Sequence, residues 1–208
     1  METEYIFYDV ESTGLANSDE VVQFGAFVTD KDMRLKQKYS FYCYTQVAMS
    51  EGASNVTGLT KEKIYHLSGG KTFEDNFLQL PFVKNNKNNI WVSYSSAGFD
   101  ERLVNQTLEH NGLKRMRFGS KTINIHGDGH SSCVYNAMEA MRVQLFSGKR
   151  AKLSEACARS GLTVEQLDRM FKKTVPTGEV QFHDALYDAF ALWAVVYKNK
   201  RKLGFELC

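Results

Sequence analysis

Two acidic residues, Asp9 and Glu11, follow a mostly apolar and aromatic run that begins at Tyr5. Because successive side chains of a strand point to opposite faces, residues two apart share a face, and these carboxylates would lie side by side. Neighbouring carboxylates repel each other, and a cation between them relieves that repulsion. The pair therefore indicates either a metal site or, if the strand end is exposed, two solvated acids.

A third acid, Asp188, lies inside an apolar stretch between Leu186 and Phe190. An ionised carboxylate that is buried without a partner loses its hydration, so it needs a counter-charge or a shifted pKa. A metal ion could supply that charge, and so could an arginine. His183 precedes this stretch in a predicted loop, where its imidazole could reach a water beside Asp188.

A fourth acid, Asp100, stands near the start of a segment with helical spacing, in the run Ala97-Gly98-Phe99-Asp100. Taken alone, it is most simply an acid in the first turn of a helix, where it interacts favourably with the helix dipole.

The segments that would position these residues alternate between strand and helix patterns. Strands are predicted at 5–10, 21–29, 35–44 and 90–94 and around 121–125, with the first three forming a meander. Short helices and loops are predicted across 50–81, where glycines interrupt the apolar residues. Longer helices are predicted at 97–110, 134–145, 153–160, 164–171 and 184–198. The last helix is apolar almost all round, so we expect it to be buried.

The composition is that of an ordinary soluble protein. With 208 residues, 43% of them hydrophobic and 24% charged, the chain predicts a single domain, 1–208. It contains no apolar run of roughly 20 residues and no signal-peptide pattern at its start, so we expect a cytoplasmic location and no membrane association.

The cysteines and basic residues carry only weak signals. The four cysteines, Cys43, Cys133, Cys157 and Cys208, show no CxxC spacing, which favours reduced thiols over disulfides. His126, His130 and Cys133 lie in a Gly/Ser-rich segment without a fourth zinc ligand, which favours a loop. The net charge is +2, although basic residues cluster at 114–121, 149–152 and 198–202. Such clusters are usually solvated surface and only sometimes nucleic-acid contacts.

Three of these segments, taken in order, resemble the motifs of the DnaQ-like 3′-to-5′ exonucleases. The first motif is similar to Phe7-Tyr8-Asp9-Val10-Glu11-Ser12-Thr13-Gly14-Leu15, the second to Phe99-Asp100, and the third to His183-Asp184-Ala185-Leu186-Tyr187-Asp188-Ala189. The histidine five residues before the last aspartate is typical of the DEDDh branch. Segments 56–60 and 153–157 are weakly similar to further parts of the family, so the resemblance spans nearly the whole chain.

The resemblance implies an α/β, RNase H-like fold in which a mixed five-stranded sheet is flanked by helices. It also implies that Asp9, Glu11, Asp100 and Asp188 hold two Mg²⁺ or Mn²⁺ ions about 4 Å apart, one activating a water and the other stabilising the leaving 3′ oxygen. His183 would be the general base that accepts the proton of that water. The product would be a 5′-mononucleotide.

The same resemblance implies how the terminal nucleotide is held. Backbone groups of the Thr13-Gly14-Leu15 turn would lie near its sugar, with Leu15 against its base. Phe99 is either a stacking partner for a base or a core phenylalanine. The sequence departs from the family pattern at Ser95-Ser96 and at Thr57, where relatives often carry histidine or asparagine. These differences affect the expected substrate binding more than the metal site. Residues 117–150 match least and could set substrate preference or hold a partner.

Three functions remain open at this point. The first is an exonuclease that trims single-stranded DNA or RNA 3′ ends, either free-standing or proofreading in trans for a polymerase or another replication or repair protein. The second is a catalytically silent nucleic-acid-binding module of the same fold. The third is a phosphodiesterase that acts on small nucleotides or oligonucleotides only.

Overall fold

The computed structural model describes residues 4–84, 89–95, 98–118, 134–178 and 182–205. Within these ranges the strands are β1 (Tyr5–Ser12), β2 (Val21–Thr29), β3 (Leu35–Tyr42), β4 (Ile90–Ser93) and β5 (Val134–Asn136). They form one sheet of order β3-β2-β1-β4-β5. The β1–β2 and β2–β3 pairs are antiparallel, whereas β1–β4 and β4–β5 are parallel. The described sheet is therefore the mixed five-stranded one that was predicted.

Helices flank this sheet. In chain order they are α1 (Glu51–Thr57), α2 (Lys61–Ser68), α3 (Phe73–Phe77), α4 (Pro81–Lys84), α5 (Phe99–His110), α6 (Ala137–Gln144), α7 (Leu153–Arg159), α8 (Val164–Thr174) and α9 (Ala185–Asn199). The short helices predicted across 50–81 and the helices predicted near 97–110, 153–160, 164–171 and 184–198 are confirmed, with small shifts at their ends. Among the described residues, none of these helices is long and apolar enough to span a bilayer.

The central strand, β1, is buried on both faces, as its apolar run predicted. Tyr5 and Phe7 pack into a hydrophobic cluster that includes residues of α6 to α9. Ile6 and Tyr8 point the other way, into a cluster with Trp91 and residues of α3 to α5. Since successive side chains of β1 enter different cores, the strand is fixed between two layers of helices.

One predicted helix starts too early. The spacing of Val134, Met138, Met141 and Leu145 predicted a helix over 134–145, but Val134 belongs to β5, where it pairs with Trp91 of β4. The helix begins only at Ala137, after Asn136, whose side chain accepts a hydrogen bond from the Glu139 amide at 3.1 Å. A three-residue strand is too short to show a period of its own, so the helical period concealed it.

Other predictions concern residues outside the described ranges. These include the strand around 121–125, the loop with His126, His130 and Cys133, and the thiol of Cys208. The remaining cysteines, Cys43 and Cys157, are buried free thiols, which confirms the prediction of reduced packing residues for these two.

The last helix, α9, lies directly against the backbone of β2. A Cβ atom added to Gly25 would lie 2.3 Å from the carbonyl carbon and oxygen of Ala185, so only glycine permits this approach. The Gln23 side chain joins the two elements. Its Nε2 donates to Asp184 Oδ2 at 2.7 Å, and its Oε1 accepts from the Ala185 amide at 3.3 Å. Asp184 also caps α9 by accepting the amides of Leu186 and Tyr187. The start of α9 is thus held against the sheet beside β1.

Candidate active site

The four acids predicted as metal ligands line one cleft of about 810 Å³, together with His183. Asp9 and Glu11 extend from β1, and Asp9 pairs with Gly25 of β2. Asp100 comes from the first turn of α5 and Asp188 from the first turn of α9. Asp100 and Asp188 are only 3% and 8% exposed, so both carboxylates are largely removed from water.

Burial raises the pKa of every one of these acids, and repulsion between carboxylates adds to the rise at Asp9, Glu11 and Asp188. Burial raises the pKa of Glu11 to about 8, with Asp188, Asp100 and Asp184 adding repulsion. Burial likewise raises the pKa of Asp100 to about 7 and that of Asp188 to about 7. The pKa of Asp9 is raised well above its ordinary value, first by burial and then by the other carboxylates. The site therefore concentrates negative charge that a cation would stabilise.

No arginine or lysine neutralises this charge in the described part of the chain. The ion pairs there involve other acids, namely Asp30, Asp32, Glu20, Glu109, Glu139 and Glu155. Among the described residues, therefore, no arginine forms an ion pair with Asp188.

Two carboxylate oxygens of the cleft, Asp100 Oδ2 and Asp188 Oδ1, are buried without a hydrogen-bond partner among the described residues. The other oxygen of Asp188, Oδ2, accepts the backbone amide of His183 at 3.1 Å. Buried oxygens of this kind are normally paired, and carboxylate oxygens suit hard cations such as Mg²⁺ and Mn²⁺. One ligand atom from each of Glu11, His183 and Asp188 also lies within 4.8 Å of the others. The donor set fits a divalent cation.

His183 is exposed and occupies an unusual backbone conformation, with φ at 71°. The left-handed region disfavours most side chains, although histidine enters it more readily than most. The turn is supported by Phe182, whose ring packs edge-on against Tyr187 at 5.2 Å, and by a hydrogen bond from Tyr187 Oη to Asp168 Oδ1 at 2.7 Å. The turn that carries His183 is thus packed against α9 through Phe182, and α9 is joined to α8 through Tyr187.

Among the predicted substrate residues, Thr13 and Gly14 shape the turn and Leu15 projects from it. Thr13 is fully buried, and its hydroxyl donates to Asp19 Oδ1 at 2.8 Å. A Cβ at Gly14 would lie 2.6 Å from Asp19 Oδ2, so the turn closes tightly around this carboxylate. Leu15 is 80% exposed and lines the cleft. Leu15 is thus the member of this turn that lines the cleft, whereas Thr13 and Gly14 are packed against Asp19.

Phe99 lies between the hydrophobic core and the cleft. Its ring packs against the cluster on the α5 side of the sheet and also lines the cleft. The guanidinium of Arg102 lies 5.1 Å from the ring centroid, and the same side chain donates to the Leu15 carbonyl oxygen at 3.4 Å and to Asn17 Oδ1 at 3.3 Å. Arg102 therefore connects Phe99 with the turn that carries Leu15.

A family model for exonucleases, RNase_T, matches residues 6–196. The chain belongs to this RNase_T exonuclease family.

The RNase_T match agrees with similarity to larger proteins. The PolC-type DNA polymerase III of Ureaplasma parvum is 26% identical over 114 residues, which are 54% of this chain and 8% of the polymerase. The zinc-bound form of E. coli Exonuclease I in complex with single-stranded DNA has a TM-score of 0.73 and 16% identity, covering 99% of this chain and 43% of that one. Exonuclease I of Methylocaldum szegediense has a TM-score of 0.68 and 18% identity, covering 96% and 40%. The fold is RNase H-like, and the chain spans less than half the length of these proteins.

Ser95 and Thr57, where the sequence departs from DnaQ-like relatives, have specific surroundings, whereas Ser96 lies outside the described residues. Ser95 is buried next to Asp100, and its hydroxyl lowers the pKa that burial raises. Thr57 is buried at the end of α1, where its hydroxyl donates to the Ala53 carbonyl oxygen at 2.9 Å and accepts the Leu59 amide at 3.1 Å. The Thr57 side chain thus satisfies backbone groups at the C-terminal end of α1.

The sequence analysis missed several residues that line the cleft or support it. Asp184 is a buried acid beside the site. Its position directly before an apolar helical run could have predicted it as the N-cap of that helix. Arg150 and Lys152 line the cleft, although the sequence placed them only in a basic cluster. The sequence offered no indication for Gln23 and Gly25, because their role depends on residues at the start of α9, 160 or more positions away.

Proposed function

We propose that this protein is a metal-dependent 3′-to-5′ exonuclease that releases 5′-mononucleotides from single-stranded ends. One observation carries the proposal: acids from β1, α5 and α9 share a cleft, with buried carboxylate oxygens on Asp100 and Asp188 that lack partners among the described residues. Membership of the exonuclease family supports hydrolysis of phosphodiester bonds. The E. coli relative with bound zinc and single-stranded DNA supports both the metal and the substrate class.

Asp9, Glu11, Asp100 and Asp188 would hold two Mg²⁺ or Mn²⁺ ions, because their oxygens are the ligands such cations prefer. When bound, the cations lower the pKa of a water and stabilise charge on the leaving oxygen. The positions of the four acids depend on the elements that carry them. The hydrogen bond from Gln23 to Asp184 keeps α9, and therefore Asp188, beside β1.

His183 would act as the general base. Its backbone amide orients Asp188, while its exposed imidazole lines the cleft and can accept the proton of the attacking water. The turn conformation at φ 71° keeps the ring outside the packed core, so a water can reach it.

Leu15 and Phe99 would hold the terminal nucleotide, because both line the cleft and Arg102 connects them. An exposed leucine and an aromatic face bind bases through apolar and stacking contacts that do not depend on base identity. Such a site accepts any sequence, as an end-trimming enzyme requires.

Similarity to the PolC-type polymerase of Ureaplasma parvum supports DNA as the substrate and a replication or repair protein as the partner. The region of similarity is 8% of that polymerase, so the likeness supports a role in proofreading and does not extend to the rest of the polymerase.

The proposal is tested by digesting 3′-labelled and 5′-labelled DNA and RNA oligonucleotides with Mg²⁺, Mn²⁺ or EDTA. We expect mononucleotides from the 3′ end with either metal and none with EDTA. Asp9→Ala should abolish cleavage while its circular dichroism spectrum stays that of the wild type, since one crowded acid is removed. Asp32→Asn, which changes an acid in the β2–β3 turn, is the matched control and should cleave normally. Cleavage by Asp9→Ala at the wild-type rate would falsify the metal-site assignment, and binding without cleavage by the wild type would favour a silent module.

A further inference from the structure

The segment between α6 and α7 contributes two exposed cations to the cleft, Arg150 and Lys152. Ala151 between them is buried, and its carbonyl oxygen accepts a hydrogen bond from Tyr94 Oη at 2.9 Å. Tyr94 directly follows β4, so this bond fixes the segment to the sheet. Arg150 and Lys152 stand on either side of the anchored Ala151 and line the cleft with it, and the backbone at Lys152 is extended.

These two cations have no ion-pair partner within the described ranges, unlike the arginines around them. Arg142 pairs with Glu139, and Arg159 pairs with Glu155. Arg150 and Lys152 are therefore available to a ligand. The acids at the other part of the same cleft would be neutralised by divalent cations, so this pair would remain as positive charge for an anionic substrate.

The spacing and size of this feature fit a strand of nucleotides. Residues two apart on an extended segment are roughly 6.6 Å apart, comparable to the spacing of successive phosphates in a single strand. The cleft of about 810 Å³ lies in the upper part of the range typical for ligand sites, roughly 300–1,000 Å³, which leaves room beyond one nucleotide. Leu15 and Phe99 are assigned to the terminal nucleotide, so the cations would meet phosphates farther from the 3′ end.

We propose that Arg150 and Lys152 form a phosphate-binding wall that holds the nucleotides upstream of the terminal one, so that single strands are cleaved in preference to mononucleotide esters. The inference rests on the proposed exonuclease function and adds to it the residues that set substrate length. Each phosphate contact to a single strand contributes a slope of about −0.7 to the dependence of log affinity on log salt concentration.

The test compares the Arg150→Gln/Lys152→Gln double variant with the wild type on two substrates, a decamer of thymidylate and the p-nitrophenyl ester of thymidine 5′-monophosphate. The length preference is the ratio of kcat/KM for the decamer to kcat/KM for the ester. We expect the double variant to lower this ratio about tenfold or more, and to reduce the salt slope of decamer binding by about 1.4, for two lost contacts.

Lys149→Gln is the matched control. Lys149 carries the same charge one residue away, but it lines a different hollow, with Phe146 and Arg159. It should keep the wild-type ratio, whereas an equal loss in both variants would indicate a general charge effect and overturn the proposal. The Arg150→Lys/Lys152→Arg variant preserves both charges and should keep most of the length preference. An unchanged length preference in the Arg150→Gln/Lys152→Gln double variant would also overturn the proposal.

Binding measured separately distinguishes this inference from the proposed function. Fluorescence anisotropy of a labelled decamer in EDTA reports affinity without hydrolysis. If the wild type cleaves nothing but the double variant still binds about tenfold more weakly than Lys149→Gln, the proposed function fails and the phosphate wall stands. If the wild type cleaves and both variants bind equally, the phosphate wall is refuted and the exonuclease stands.

Discussion

Gly25 is the position at which α9 comes closest to the sheet, so alanine there tests whether the site depends on this approach. The added Cβ would lie 2.3 Å from the Ala185 carbonyl and 2.4 Å from the Leu186 amide nitrogen, whereas ordinary contacts begin near 3.4 Å. All of these atoms are backbone, so no flexible side chain can yield. The start of α9, and Asp188 with it, would have to move by roughly 1.1 Å, the difference between an ordinary contact and this one.

This displacement should affect both stability and chemistry. Overpacking of a core typically costs about 1–3 kcal/mol, which for a chain of this size lowers Tm by roughly 2–12 °C. A misplacement of about 1 Å in an active site can lower the rate about 100-fold. We therefore expect Gly25→Ala to have a lower Tm, weaker Mn²⁺ binding and about 100-fold lower kcat.

The assays are differential scanning fluorimetry, calorimetric titration with Mn²⁺ and cleavage of a labelled oligonucleotide, the last two at 15 °C, where the variant stays folded. Gly52→Ala in α1 is the control, because its Cβ would meet no atom within 4 Å. Its Tm should be unchanged or slightly higher, since alanine favours helix. If Gly25→Ala loses stability but binds Mn²⁺ and cleaves like the wild type, the close approach of α9 serves packing alone and the reasoning about the site is refuted.

Three further predictions concern the cleft. His183→Ala should lower kcat by about two to four orders of magnitude with Mn²⁺ binding retained. His183→Asn, in which asparagine tolerates the left-handed backbone, should lower kcat by as much. Unchanged pH dependence of the rate in these variants would exclude the base role. In EDTA, urea melts should show the free energy of unfolding falling as pH rises from about 5 to 8. Folded-state pKa values of about 8 for Glu11 and about 7 for Asp100 and Asp188 lie above those of the unfolded chain, so the stabilisation present at low pH is lost through this window. Mg²⁺ should restore stability at pH 8, and a rise of stability with pH in EDTA would contradict the crowding of these acids. Leu15→Ala should leave Tm within about a degree but raise KM about tenfold, since its exposed side chain contributes to substrate contact and little to packing; a lower Tm with unchanged KM would oppose this.

Much of the fold could be predicted because its long elements carry clear periods. The apolar run of β1 predicted a strand covered on both faces, and the apolar surface of α9 predicted a buried helix. Short elements were less accessible: β5 has three residues, too few for a period, and the adjoining helical spacing absorbed Val134.

The candidate site was predictable in part. The two-residue spacing of Asp9 and Glu11 placed both on one face of a strand without further information. Asp100 could be linked to them only through the family resemblance, because a first-turn acid has an adequate local explanation. For Asp188, the residues alone left both a metal and an arginine open, and none of the ion pairs among the described residues joins an arginine to it.

The contact between Gln23 and Asp184 joins positions 161 apart in the sequence, and it brings in the helix that supplies Asp188. Closing so long a loop is entropically costly and is expected late during folding. A partly folded chain would already possess the carboxylates of β1 yet lack the helix that completes their cation site. With the proposed cation site, cleavage of nucleic acid would require α9 to have docked, so partly folded copies of the chain would not cut the strands around them.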